Sequence, residues 1–312
     1  MNFWIFSIFL FFPIGVRCEK LIAYVNNGNI WLMHSNGSQK KQITFVEKGR
    51  GEEKANIVGP LSWSPDNKKI VFAREGWLSI RYPDGGGGWQ PLSDLWIMNT
   101  DGSEIQNITN NYGSSRPSWS PKEDKIVFNY DSMATNINAC TPIVDVVIMS
   151  NVLHAKKSIV EARKTFITDE IQKFNIEGAC GPVFSPDGAK ILFEMVTGGP
   201  HGIEIMDMEG KIIYTLKEMF MTPTWNQDGT KIACAPGGIW IIDIQQKTRK
   251  QILNDKGKEI NHLSWSSDGK HIAFSAREWP NTEWNIYTIK SNGEDLKQIT
   301  NDGKNFYPEW SH

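Results

Sequence analysis

Two stretches of the chain, PLSWSPDNKKIVFA at 60–73 and RPSWSPKEDKIVFN at 116–129, share a Trp-Ser-Pro turn followed by Lys-Ile-x-Phe. The pattern recurs as GPVFSPDGAKILFE at 181–194, TPTWNQDGTKIACA at 222–235 and HLSWSSDGKHIAFS at 262–275, and YPEWSH ends the chain at 307–312. Self-similarity of this kind is the signature of a repeat architecture. The aromatic residues at the anchor position are Trp63, Trp119, Phe184, Trp225, Trp265 and Trp310.

A second motif follows each copy and completes the repeat unit, for example DLWIMNTDGS at 94–103 and NIYTIKSNGE at 285–294. Short runs of β-branched and aromatic residues separated by Asp-Gly or Asn-Gly predict four antiparallel strands per unit. One such sheet cannot bury both of its faces, whereas sheets arranged radially bury each face against a neighbour. The sequence therefore predicts an all-β fold, a six-bladed β-propeller.

The last copy lacks the Lys-Ile-x-Phe strand that should follow Trp310. The segment KLIAY at 20–24 has the character of that strand and precedes its own Ile-Trp partner. We therefore expect the last blade to be closed by the N-terminal strand, which leaves no open edge in the ring. The propeller domain is predicted to cover residues 19–312.

These motifs resemble the TolB-type repeat, which is related to the WD-type propeller repeat. The resemblance covers all six units but includes no counterpart of the N-terminal α/β domain of TolB. It implies a TolB-like propeller and interactions in the cell envelope. Because such propellers serve many purposes, the resemblance predicts the fold more strongly than the function.

The N-terminal residues 1–18 contain an apolar run that is too short to span a bilayer, which needs about 20 residues. This predicts a signal peptide cleaved before Glu19, and a periplasmic or secreted protein with no membrane span after cleavage. An uncleaved N-terminal anchor and a lipid-modified Cys18 are the alternatives.

Insertions beyond the repeat, at 74–93, 129–142, 161–180 and 275–284, are expected to be loops on one face of the predicted ring, and 161–174 is the one stretch whose periodicity suits a helix. Two of them resemble each other, Ala73-Arg74-Glu75-Gly76-Trp77 and Ala276-Arg277-Glu278-Trp279, and are interpreted either as paired binding loops or as solvated strand ends whose tryptophans cover blade edges. Surface aromatics beside charged groups are typical of binding surfaces. The candidate binding residues on this face are Arg74, Glu75, Trp77, Trp89, Tyr130, Arg277, Glu278 and Trp279, and Trp284 is also expected at the surface.

Residues at the entrance of each innermost strand should ring the central channel. They are Gly59, Arg116, Cys180 or Gly181, Thr222, Asn261 or His262, and Tyr307. Among these, Arg116, His262 and Tyr307 are predicted to bind an acidic or hydroxylated group. The same placement brings Cys140 near Cys180 and predicts a disulfide between them, with Cys234 buried where other copies have Phe.

Composition excludes one class of partner. The 312 residues include 33 basic and 35 acidic ones, dispersed along the chain with a formal net charge of −2, so nucleic acid is not an expected partner.

No nucleophile elbow or paired metal-ligand spacing is present in the sequence. We expect a non-enzymatic exported binding module for a protein or peptide, monomeric and without a cofactor. The alternative is a carbohydrate lyase or hydrolase with its site in the channel.

Overall fold

The computed structural model describes residues 20–46, 56–81, 87–110, 113–131, 144–154, 171–174, 176, 178–196, 202–235, 237–254 and 257–312. The predicted signal peptide at 1–18 lies outside this part of the chain and stays a prediction. Within the described residues, the only helical element is the short 3-10 turn Val152–His154, and no helix is long and apolar enough to cross a membrane.

The described residues form six four-stranded antiparallel sheets, numbered here as blades 1 to 6. From the innermost strand outward, blade 1 consists of β24 (Asn305–Trp310), β1 (Leu21–Asn26), β2 (Asn29–His34) and β3 (Lys41–Gln42). Blade 2 consists of β4 (Asn56–Trp63), β5 (Lys69–Arg81), β6 (Gly87–Asn99) and β7 (Gln106–Asn107). Blade 3 consists of β8 (Ser114–Trp119), β9 (Lys125–Asp131), β10 (Val144–Ser150) and β11 (Ile171–Phe174).

The other three blades follow the same order. Blade 4 consists of β12 (Ala179–Phe184), β13 (Lys190–Met195), β14 (Gly202–Asp207) and β15 (Ile212–Leu216). Blade 5 consists of β16 (Met221–Trp225), β17 (Lys231–Ala235), β18 (Gly238–Asp243) and β19 (Thr248–Asn254). Blade 6 consists of β20 (Lys258–Trp265), β21 (His271–Glu278), β22 (Asn285–Lys290) and β23 (Lys297–Gln298).

The hydrophobic core is divided into six clusters, and each cluster joins one pair of neighbouring blades. Between blades 1 and 2, for example, Ile30 packs in one cluster with Phe72 and Trp63. Between blades 6 and 1, Ile286 packs in one cluster with Tyr24 and Trp310. Because every blade buries both faces against its neighbours, the blades form a closed ring, which confirms the predicted six-bladed propeller.

The ring is closed inside blade 1, as the sequence predicts. Ile22 of β1 lies opposite Trp310 of β24 in an antiparallel ladder. The backbone N–H of Ser311 donates to the carbonyl of Leu21 at 2.9 Å, and the Leu21 N–H donates to Ser311 Oγ at 3.1 Å. The first and last strands of the described chain therefore share one sheet.

The Asp residues of the repeat are turn residues, as expected. Asp187 accepts the N–H of Ala189 at 3.0 Å and the hydroxyl of Ser185 at 2.5 Å. Asp228 and Asp268 accept the N–H two residues further on in the same way. These carboxylates stabilise turns by accepting local backbone bonds and belong to the scaffold.

One prediction about the insertions is wrong. The range 74–93 was expected to be a loop, but β5 and β6 continue through most of it as one long hairpin, with Glu75 opposite Ser93 and Ile80 opposite Gly88. The apolar residues that extend each strand favour continued pairing over a loop. Most of the helix predicted at 161–174, residues 161–170, lies outside the described residues. Residues 171–174 form the strand β11 and not a helix.

Candidate functional site

Each of the six innermost strands contains a β-bulge at the same position. The pairing with the next strand shifts there, by two residues in blade 2 and by one in the other blades, for example between Ser115 and Ser118 of β8. A residue in the left-handed region of φ lies at each shift, with φ between 46° and 82°: Gly59, Arg116, Gly181, Thr222, His262 and Tyr307. A bulge bends the strand and re-aims the side chain that it carries.

Five of the six bulged residues precede a proline. Pro has no N–H for the ladder, so within a sheet it is tolerated at edges and bulges. The repeated proline is therefore the signal from which the bulges could have been predicted. The prolines are Pro60, Pro117, Pro182, Pro223 and Pro308, while blade 6 has Leu263 at this place.

Five of the six bulged residues, all except Gly59, line a cavity of about 80 Å³ in the central channel. Arg116, Thr222, His262 and Tyr307 all line it, so the structure brings together the three channel residues singled out from the sequence. A left-handed conformation is an outlier for a β-branched residue such as Thr222, and costs about 1–3 kcal/mol. Surrounding contacts must hold these side chains in place.

Side chains of the preceding blade hold three of the bulges. The N–H of Gly181 donates to Asn129 Oδ1 at 2.8 Å, and the N–H of Tyr307 donates to Ser275 Oγ at 3.2 Å. The N–H of Thr222 donates to a carboxylate oxygen of Glu194. Sequence reasoning missed these three supporting residues, although each is a polar residue directly after the Lys-Ile-x-Phe strand motif, where blades 2 and 5 have alanine.

One side of the channel carries a group of aromatic and acidic residues. His262 Nε2 lies 3.3 Å from Glu309 Oε2, and the His262 ring meets the Tyr307 ring edge to face at 5.6 Å. Burial raises the pKa of the Tyr307 hydroxyl, the positive charge of Arg116 lowers it, and the carboxylate of Glu75 raises it. Arg116 and Glu75 are therefore electrostatic neighbours of Tyr307.

Arg116 lines the same cavity as the carboxylates of Glu194 and Glu309. The bulged residues on either side of it in the ring, Gly59 and Gly181, have no side chain. A Cβ added at Gly59 would meet no atom within 4 Å, and one at Gly181 would meet only Arg116 Nη1 at 4.0 Å. Among the described residues no ion pair within 4.0 Å involves Arg116. The guanidinium is thus a cation with open space beside it, which suits an anionic or hydroxylated group.

The two similar Arg-Glu segments do not occupy equivalent positions. In the strand pairing, Arg277 of blade 6 occupies the position that Glu75, and not Arg74, occupies in blade 2. Because side chains alternate along a strand, Arg74 and Arg277 lie on opposite faces of their blades. Arg74 lies over the Trp96 ring at 5.0 Å, and Arg277 lies over the Trp284 ring at the same distance. Both arginines stack on blade residues, which agrees with the interpretation of these segments as strand ends.

The predicted surface aromatics have different environments. Trp279 is 73% exposed, whereas Tyr130 is 9% exposed and packs in the core between blades 2 and 3. The expectation that Trp284 lies at the surface is wrong, because it is 8% exposed and packs 5.6 Å from the Phe306 ring. Glu278 forms an ion pair with Lys258 at 3.5 Å. The side chains of Trp77 and Trp89 lie outside the described residues.

The predicted Cys140–Cys180 disulfide stays a prediction, because Cys140 lies outside the described residues. Cys180 is buried at the start of β12. Cys234 is a buried free cysteine, and in β17 it takes the position that Phe72 and Phe274 fill in other blades, as expected.

Comparison with known proteins supports the fold. No protein-family model and no curated protein matches the chain. The structure of TolB from Acinetobacter baumannii is similar over 94% of this chain and 66% of that chain, with a TM-score of 0.65 and 17% identity. A chain from a nidogen/laminin complex is similar over 93% of this chain and 98% of its own length, with a TM-score of 0.63 and 9% identity. Oligogalacturonate lyase from Vibrio parahaemolyticus is similar over 82% of this chain and 71% of its own length, with a TM-score of 0.53 and 12% identity.

These identities are low, so the likeness shows the fold. The chain is a six-bladed β-propeller with a fold similar to that of TolB, which confirms the resemblance seen in its repeats. It spans 66% of the length of the Acinetobacter TolB chain.

Proposed function

We propose that this propeller is a non-enzymatic binding module that works outside the cytoplasm and recognises a protein or peptide. Its binding surface is the channel mouth together with the loop-rich face around it. The predicted signal peptide and the TolB resemblance support a periplasmic or secreted location. A propeller of the same fold occurs in a nidogen/laminin complex, which supports a protein as the partner.

The observation that carries the proposal is the guanidinium of Arg116 at the channel. Arg116 projects between two bulges that lack side chains, and no carboxylate of the described residues neutralises it within 4.0 Å. A partly desolvated guanidinium binds carboxylates strongly and with defined geometry. We therefore expect the partner to place one acidic group at Arg116, with Tyr307 and His262 supplying further polar contacts.

Capture of the partner tests the proposal. The chain from residue 19 onward is immobilised, exposed to an envelope extract of the source organism, and the retained proteins are quantified by mass spectrometry. The test variant combines Arg116→Gly with His262→Asn, because glycine occupies this bulge in two other blades and asparagine tolerates a left-handed φ. Lys68→Ala, an exposed residue on the opposite turn face, is the control.

We expect the wild-type chain and the control to retain one protein in stoichiometric amount, and the double variant to lose it. Equal retention by all three chains would show that the channel mouth is not part of the binding surface.

The second candidate function is a carbohydrate lyase or hydrolase. The His262–Glu309 pair beside Tyr307 contains the proton donors and acceptors that such chemistry needs, and a structure with the same fold is an oligogalacturonate lyase. Incubation with oligogalacturonates tests this, with release of reducing ends or unsaturated uronate as the readout. Turnover that is lost in His262→Asn and kept in Lys68→Ala would replace the binding proposal.

A further inference from the structure

A groove between blades 5 and 6 opens beside the channel mouth. It has a volume of about 460 Å³, and its apolar lining comes from Met221, Ala235, Ile260 and Trp279. Thr222 and Asn261 line both the groove and the channel, so the two cavities adjoin at these residues.

Large apolar side chains are exposed around this groove. Trp279 is 73% exposed and Met221 is 45% exposed, and Met219, two residues before Met221, is 65% exposed. Tryptophan and methionine are enriched at protein interfaces, where they bury large areas and adapt to the surface they meet. Several exposed apolar residues around one groove indicate a binding surface.

The charges beside the groove are paired with each other. Arg277 donates to Glu259 Oε2 from Nε at 2.7 Å and from Nη2 at 2.5 Å. Lys258 lies 3.5 Å from Glu278 and 4.9 Å from the centre of the Tyr287 ring. Among the described residues, the groove therefore offers no uncompensated charge, in contrast to Arg116 in the channel. An uncharged occupant fits it, because a charged one would be desolvated without a partner.

The size of the groove favours a side chain over a second copy of this chain. A stable protein–protein interface buries about 1,200–2,000 Å² in total, far more than a cleft of this size supplies. A cleft of about 460 Å³ accommodates one bulky side chain together with its own main chain.

An unpaired polar atom lies where the groove meets the channel. Thr222 Oγ1 is buried without a hydrogen-bond partner in the structure. A buried hydroxyl without a partner is unfavourable, and a main-chain amide of an occupant would satisfy it once the Thr222 side chain turns toward the groove. This favours a peptide over a purely hydrocarbon ligand.

We propose that the groove between blades 5 and 6 binds a bulky uncharged apolar side chain of a peptide, such as leucine, methionine or phenylalanine, whose main chain passes Thr222. This inference rests on the proposed function for its class of partner, a protein, but not on Arg116, His262 or Tyr307. The partner would then contact the propeller at two points, through an apolar residue in the groove and an acidic group at Arg116.

Titration with small peptides, followed by NMR at the indole N–H of Trp279, tests the groove by itself. The probes are acetyl-Gly-X-Gly-amides with X as Leu, Phe, Lys or Glu, and methyl β-glucopyranoside is the sugar probe. Trp279→Phe assigns the indole signal. We expect saturable shifts for Leu and Phe, at least tenfold weaker binding for Lys and Glu, and none for the sugar.

Variants make the result specific. Met221→Gln should weaken the Leu and Phe peptides at least fivefold, whereas Phe45→Ala, which removes an 80% exposed aromatic from blade 1, should leave their affinity unchanged. Equal binding of Lys and Leu peptides, or saturable binding of the sugar alone, would overturn the proposal. A signal that shifts on dilution without peptide would assign the groove to a second copy of the chain and also overturn it.

The arms of the test separate the two proposals. Arg116→Gly should leave this titration unchanged, so a failure of the channel proposal does not affect it. If the peptides do not bind while Arg116→Gly still loses the captured partner, the proposed function stands and the groove is not part of it.

Discussion

His262 of blade 6 and Tyr307 of blade 1 occupy the same bulged position in neighbouring innermost strands, and their rings meet edge to face at 5.6 Å. The contact joins blade 6 to blade 1. Tyr307 belongs to β24, the last strand of the chain, which pairs with β1 and closes the ring. Closure of the ring and assembly of the channel mouth are thus consequences of the same strand, β24.

Ring closure predicts a large cost for truncating the last anchor residue. Trp310 is 4% exposed between blades 6 and 1, so Trp310→Ala should lower the free energy of unfolding by about 3–5 kcal/mol. Urea unfolding followed by circular dichroism measures this. The exposed Phe45 is the control, and Phe45→Ala should change stability by less than about 0.5 kcal/mol. Similar small effects for both variants would contradict closure through β24.

The support of the bulges predicts that Asn129 stabilises blades 3 and 4 together. Its Oδ1 accepts the N–H of Gly181 at 2.8 Å, and its Nδ2 donates to the carbonyl of Ala179 at 3.1 Å. Asn129→Ala leaves both backbone groups without these partners and should cost about 2–4 kcal/mol in urea unfolding. Asn301→Ala, at an exposed site, should cost almost nothing. A cost below about 1 kcal/mol at Asn129 would show that the bulge is held by other contacts.

Two glycines with positive φ separate backbone strain from close packing. A Cβ at Gly238 would lie 1.9 Å from the carbonyl oxygen of Leu253, whereas one at Gly257 would meet nothing within 4 Å. Gly257→Ala should therefore cost about 1–2 kcal/mol from its φ of 94° alone. Gly238→Ala should cost clearly more, because β18 and β19 must separate. Equal melting temperatures for the two variants would refute the close approach of these strands.

The ion pair between Lys20 and Asp268, at 2.8 Å, links the start of the described chain to blade 6 and predicts a pH effect. Burial tends to raise the pKa of Asp268, but hydrogen bonds from Lys20 and Ser266 outweigh it and hold the pKa well below its usual range. A carboxylate with a lowered folded-state pKa stabilises the protein fully above its unfolded pKa of about 4, and this contribution is lost as the pH falls through the folded value.

Stability should therefore fall more steeply below pH 4 in the wild-type chain than in Asp268→Asn. The difference at pH 7 should stay below about 1 kcal/mol, because both side chains are about one-third exposed and solvent screens them. Urea midpoints measured between pH 2 and 7 check this. Parallel pH profiles for the two chains would show that the ion pair contributes nothing.

The sequence predicts the fold well because the decisive signals are local and repeated. The Trp-Ser-Pro turns, the Lys-Ile-x-Phe strands and the incomplete copy at Trp310 indicate the blades and their closure without long-range information. The long hairpin of β5 and β6 was missed because a Gly-rich stretch near Gly87 is typical of a loop, and pairing beyond Glu75 depends on the partner strand.

The channel was predicted only in part. Arg116, His262 and Tyr307 were found because they vary at a fixed position of the repeat, but their left-handed conformation follows from bulges that the alternation of apolar residues does not reveal. The supporting acceptors Asn129, Glu194 and Ser275 were missed because each acts on the next blade along the chain. Trp284 was misplaced for a related reason, since its burial depends on Phe306 of the closing strand.

The measurement that tests the central claim most directly is the affinity of the captured partner for the wild-type chain and for Arg116→Gly, by isothermal titration calorimetry at one ionic strength. The variant keeps a residue type that occupies this bulge in two other blades and removes the Arg116 side chain with its guanidinium. We predict at least a tenfold weaker affinity, an unchanged melting temperature, and a reduced salt dependence of binding. Equal affinities with equal salt dependence would contradict recognition of an acidic group at the channel mouth.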